Sequence, residues 1–149
     1  MPQSLANQLS HLVFSTKMRR SWISDDIRGE LHAYLTEVFK TQQCPVIIMN
    51  SVEDHIHVLF HLHRTKAVSN VVKEIKQSSS KWLKSKANMQ GFAWQGGYAV
   101  FSVSESKKPA VVRYIQKQKE HHQRTCFQDE LRSLLTLNNV SYDEHYVWE

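Results

Sequence analysis

A chain of 149 residues and 17.4 kDa is long enough for one self-supporting core. With 41% hydrophobic and 22% charged residues it has the composition of a globular protein, and 19 Lys+Arg against 14 Asp+Glu leave a charge of +5, which favours an anionic partner, nucleic acid first among them. Two cysteines, Cys44 and Cys126, exclude a disulfide framework. No apolar run approaches the roughly 20 residues that span a bilayer, and "MPQSLANQLSHLVF" lacks the layout of a signal peptide, so a cytoplasmic location is expected.

In chain order, "LSHLVFST" (9–16) reads as a strand with Leu12 and Phe14 on one face and His11 and Val13 on the other. A basic loop, "KMRRSW", follows. Ser24 can cap a helix with Asp25 and Asp26 in its first turn, and Ile27, Leu31, Leu35, Val38 and Phe39 carry the helical period to about Thr41. "VIIMNSV" and "HIHVLFHL", separated by turn formers, predict a hairpin. A second helix is expected over 67–86, with a stripe of Val68, Val71, Val72, Ile75, Trp82 and Leu83. "FAWQGGYAVFSVS" (92–104) is aromatic and β-prone, with a bend at Gly96-Gly97. Pro109 suits the first turn of a third helix running through "AVVRYIQKQKEHH", and "FQDELRSLLTL" predicts a shorter fourth. The order β-α-β-β-α-β, then helices, predicts an α+β, ferredoxin-like split βαβ sheet with the first two helices on one face. The expected organisation is a single domain over 1–149, its core roughly 9–122, with a C-terminal helix and tail over 123–149.

Chemistry concentrates in "SVEDHIHVLFHLHRT" (51–65). Alternation along a strand puts Ile56, Val58, Phe60 and Leu62 against the helices and His55, His57, Leu59, His61 and His63 on the opposite face, joined there by His11. A His-apolar-His triplet presents two imidazoles side by side, which suits neighbouring positions on one metal ion. His61 lies about 13 Å along the strand from His57, too far to share that ion. On the third helix Tyr114 and Gln118 stand at i and i+4, a phenol one turn from a carboxamide. A half-buried tyrosine and an exposed glutamine are ordinary on an amphipathic helix, and only their combination with His55 and His57 points to a site.

With "EDHIHVLF", "YIQKQ", "HLVFSTKMRR" and "KQSSSKWL" together in this order, the chain resembles the small single-tyrosine HUH transposases of bacterial and archaeal insertion sequences over roughly 9–122. The resemblance implies cleavage and rejoining of single-stranded DNA at hairpin-marked ends through a 5′-phosphotyrosine. It makes Tyr114 the nucleophile and His55, His57 and Gln118 the ligands of Mg²⁺ or Mn²⁺. It further implies a homodimer in which each tyrosine helix often serves the partner's site. The fourth strand is the expected dimer contact, since an aromatic edge is poorly left exposed. Lys17, Arg19, Arg20, Lys73, Lys76, Lys81, Lys84, Arg113 and Lys117 are the candidate DNA contacts, neutralising phosphates. The rival readings are a non-catalytic nucleic-acid-binding or domesticated relative, another HUH nuclease, and a small zinc-bound structural protein that also uses His61 and His63.

Overall fold

A computed structural model describes residues 1–149. Four strands, β1 (Leu9–Ser15), β2 (Val46–Ser51), β3 (His55–His61) and β4 (Ala99–Val103), form one antiparallel sheet in the order β2-β3-β1-β4. The two strands that read most regularly, β1 and β3, pair at its centre, with Leu12 opposite Val58 and Val13 opposite His57. Helices α1 (Asp25–Thr41) and α2 (Val68–Lys86) cover one face. There Leu12, Phe14, Ile56, Val58 and Phe60 meet Leu31, Leu35, Phe39, Val71, Val72, Ile75 and Leu83 in the main core. Burying each such side chain contributes about 1.5–3 kcal/mol relative to leaving it in water, so this face carries most of the stability.

The other face is not open. Helices α3 (Lys108–Gln116), α4 (Gln118–Arg124) and α5 (Phe127–Leu137) lie across it. Phe127, Leu131 and Leu135 of α5 pack on Val13 and Phe101, and Ile115 of α3 packs on Leu9 and Leu59. Three helices end with the residue after the C-cap in the left-handed region: Gln43, Asn88 and Asn139. Asparagine tolerates that conformation better than other residues with a side chain, which explains two of the three stops. Of the two cysteines, Cys44 is sealed in the core and Cys126, the N-cap of α5, is exposed.

The third predicted helix is broken. Lys117 leaves helical geometry (φ −96°, ψ 21°), so Tyr114 lies in the last turn of one helix and Gln118 starts another. Asn50 of β2 donates to the carbonyls of Ile115 (2.9 Å) and Gln116 (3.1 Å), satisfying acceptors that a continuous helix would have used internally. The fourth strand is also shorter than expected. Residues 92–98 fold beneath α2: Phe92 and Trp94 join the main core, and the indole N–H of Trp94 donates to Ser79 Oγ at 2.9 Å. Gln95 then takes over the ladder, its Oε1 accepting from the Ser15 N–H (2.8 Å) and its own N–H donating to the Ser15 carbonyl (3.0 Å). The aromatic residues that made this segment look like a sticky edge are therefore turned inward, apart from Tyr98. At this end of the sheet the edge is the short run Ala99–Val103, and β2 forms the opposite edge.

Candidate active site

His55 and His57 occupy the sheet face opposite α1 and α2, as alternation requires, and both are fully buried by the later helices. His55 Nδ1 donates to Asp54 Oδ1 at 2.7 Å, which turns Nε2 into the cluster. That atom lies 3.2 Å from Gln118 Oε1 and 3.2 Å from Glu130 Oε1. His57 Nε2 lies 2.9 Å from the same Glu130 oxygen, and its Nδ1 lies 2.9 Å from His11 Nε2. Tyr114 donates its hydroxyl hydrogen to Glu130 Oε2 at 2.8 Å. Its ring stacks on His121, centroids 4.7 Å apart. One chain thus brings its own tyrosine to its own histidine pair.

Charge follows from these contacts. Burial works against a charged His55, but the hydrogen bonds and negative charges of Asp54 and Glu130 win and raise its pKa to about 9. Burial would raise the Glu130 pKa, yet the two imidazoles outweigh it and hold the carboxyl well below the usual carboxylate range. Burial, then the Glu130 carboxylate, push the Tyr114 phenol above its ordinary value. His11 is lowered to about 3 by burial and by His57, and so is neutral. A neutral His11 can donate to or accept from His57. When it donates, His57 in turn donates its Nε2 hydrogen bond to Glu130. When it accepts, the His57 Nε2 lone pair is free to bind a cation.

The cluster fits a metal ion by its donors and spacing. Right-angled ligands on bonds of about 2.1 Å are separated by about 3.0 Å, close to the 2.9–3.2 Å among these nitrogen and oxygen atoms. Gln118 is fully buried and its Nε2 has no partner, so the carboxamide is held for the sake of its oxygen. Two imidazole nitrogens and two oxygens without a thiolate form a borderline-to-hard donor set.

Other predicted residues fall elsewhere. His61 ends β3 and His63 lies just beyond it, where it bonds Thr65. Lys73, Lys81 and Lys84 lie on α2, behind the sheet from the histidines, whereas Arg113 and Lys117 flank the tyrosine on the site side and are exposed. Lys17 and Arg20 line a shallow cavity of about 310 Å³ with Trp22, and the Arg19 guanidinium sits over Trp148 at 5.9 Å. Lys76 is also engaged within the chain: its ammonium is bound to the carbonyls of Gln95 (2.9 Å) and Gly97, and burial lowers its pKa to about 8. It ties the 92–98 segment to α2. Sequence reading missed Glu130. Its signal was a carboxylate on the apolar stripe of "FQDELRSLLTL", between Phe127 and Leu134 at helical spacing.

A four-stranded antiparallel sheet with helices on both faces is similar to the fold of the tyrosine transposases. A structure of a REP-associated tyrosine transposase bound to a REP hairpin superposes with a TM-score of 0.62 at 14% identity, covering 82% of this chain and 72% of that one. The crystal structure of a Deinococcus radiodurans protein described as a transposase gives a TM-score of 0.63 at 21% identity, covering 79% of this chain and 96% of that one. ISDra2 transposase TnpA of Deinococcus radiodurans is 26% identical over 115 residues, 72% of this chain and 81% of that protein. The sequence model of the family described as "Transposase IS200 like" matches residues 4–118, and the chain belongs to that family.

Proposed function

We propose that the chain cleaves and rejoins single-stranded DNA at hairpin-marked ends, with Tyr114 as nucleophile and His55, His57 and Gln118 holding Mg²⁺ or Mn²⁺. The observation that carries this reading is the convergence, in one chain, of the two Nε2 atoms and the Tyr114 hydroxyl on a single buried carboxylate, with the Gln118 oxygen beside His55 Nε2. The hairpin bound by the REP-associated relative supports the substrate class.

The metal would polarise a non-bridging phosphate oxygen and so lower the barrier to attack on an anionic diester. The chain's own groups do the rest. Tyr114 Oη forms a bond to phosphorus while the bond from phosphorus to the 3′-oxygen breaks, and the phenolic hydrogen is balanced by the one gained on the departing 3′-hydroxyl. The tyrosyl ester conserves the phosphodiester energy, so a second strand's 3′-hydroxyl reverses the step and no nucleotide cofactor is consumed. Arg113 and Lys117 flank the site and neutralise adjacent phosphates. Two strands require two tyrosines. The working unit is therefore a homodimer of cytoplasmic, single-domain chains, and the contact between Tyr114 and its own chain's Glu130 favours action in cis.

The test uses single-stranded DNA carrying candidate end hairpins, with Mg²⁺ or Mn²⁺, and a denaturing gel for a 5′-linked protein adduct. Wild type forms the adduct, whereas Tyr114→Phe and His57→Ala do not. A mixture of the two variants stays inactive if the tyrosine acts in cis and recovers if it acts in trans. A metal-independent adduct, or none on any end sequence, overturns the reading in favour of a DNA-binding relative that has lost the reaction.

A further inference from the structure

We propose that Glu130 is a ligand of the same metal ion, contributed by α5, and that its second carboxylate oxygen seats Tyr114 at that ion. The proposal rests on the reading of His55, His57 and Gln118 as a metal site. The matched family segment ends at residue 118, so Glu130 comes from a helix that the match does not include.

Three observations carry it. First, Glu130 lies on the buried stripe of α5, beside Phe127, Leu131 and Leu135, with 8% exposure. A leucine there would pack without penalty, whereas a buried carboxylate is costly unless a cation or several donors meet it. Second, Glu130 Oε1 is 2.9 Å from His57 Nε2 and 3.2 Å from His55 Nε2, the separation of neighbouring ligands on one ion. Because Asp54 takes the Nδ1 hydrogen of His55, a neutral ring would set its Nε2 lone pair against a carboxylate lone pair, and that contact holds only with a cation or a proton between them. Third, the two oxygens are divided: Oε1 turns to the imidazoles and Oε2 accepts from Tyr114 at 2.8 Å. One carboxylate therefore links the ion's position to the nucleophile. The competing explanation is a proton alone, with Glu130 as a counter-ion to His55.

Mn²⁺ binding to the DNA-free protein, followed by the loss of free-ion signal in electron paramagnetic resonance, separates the two. Wild type and Tyr114→Phe should bind within about twofold of each other, while Glu130→Gln and His57→Ala each weaken binding by at least about tenfold. If Glu130→Gln binds like wild type while His57→Ala does not, Glu130 is only a counter-ion and the proposal falls with the metal site intact. If His57→Ala also binds like wild type, the metal-site reading itself fails. Glu130→Asp keeps the charge on a shorter arm and guards against a folding defect in the glutamine variant. It should bind more tightly than Glu130→Gln, and equal binding overturns ligation. The seating role is read at saturating Mn²⁺: Glu130→Gln should still form the tyrosyl adduct at least about tenfold more slowly. Recovery of the wild-type rate would refute seating.

Discussion

Tyr114→Phe removes one oxygen, and from sequence it looks neutral for folding. The structure says otherwise, because that oxygen donates to a buried carboxylate at 2.8 Å. A hydrogen bond to a charged partner contributes about 1.5–3 kcal/mol. Glu130 keeps both imidazoles after the change, and the ring keeps its stack on His121 and its edge contacts with His11 and His57, so the lower half of that range applies. For a chain of this length a loss of about 1.5–2 kcal/mol corresponds to a fall in Tm of about 3–8 °C. Urea unfolding of chelator-treated wild type and variant measures it, alongside the adduct gel. Equal stability, within about 0.5 kcal/mol, would mean that the hydroxyl does not rest on Glu130 in solution. An adduct persisting in the variant would remove Tyr114 as nucleophile and make the exposed Tyr98 the next candidate.

Stability of the metal-free protein should peak between the two directions in which its histidines shift. The raised His55 contributes fully below its ordinary pKa of 6.5 and loses that contribution as pH climbs through about 9, while the lowered His11 and His32 contribute above 6.5 and lose theirs as pH falls through about 3 and about 4. Melting curves across pH in chelator, with His32→Gln flattening the acid limb, check the signs. His11→Phe removes the partner that orients His57 and should weaken Mn²⁺ binding by about 10–100-fold by the same resonance assay, with wild-type affinity counting against an orienting role. Lys76→Met should cost about 1–3 kcal/mol of stability and leave the salt dependence of DNA binding unchanged. Lys81→Met should do the reverse, lowering the salt slope by about 1 at normal stability, and an exchange of these two outcomes would invert their assignment.

The alternation of "HIHVLFH" was enough to orient β3, because one face must be apolar throughout and the other then holds the histidines. The break at Lys117 was not legible. Every residue of "YIQKQKEHH" accepts a helix, and the interruption depends on Asn50, which reaches in from β2. Glu130 was illegible for a related reason. It stands 73 positions from His57, and only the packing of α5 on Val13 and Phe101 closes that distance. The overlong fourth strand came from its aromatic residues, which are β-prone in isolation but serve the core beneath α2.

The contrast between the two thiols makes the chain convenient to label. Cys44 is out of reach in the core, while Cys126 stands exposed at the N-cap of α5, four positions before Glu130. A maleimide dye should therefore attach at one place in the folded protein with no engineered cysteine. It would ride on the helix that closes the histidine face, so its emission would follow the seating of that helix directly.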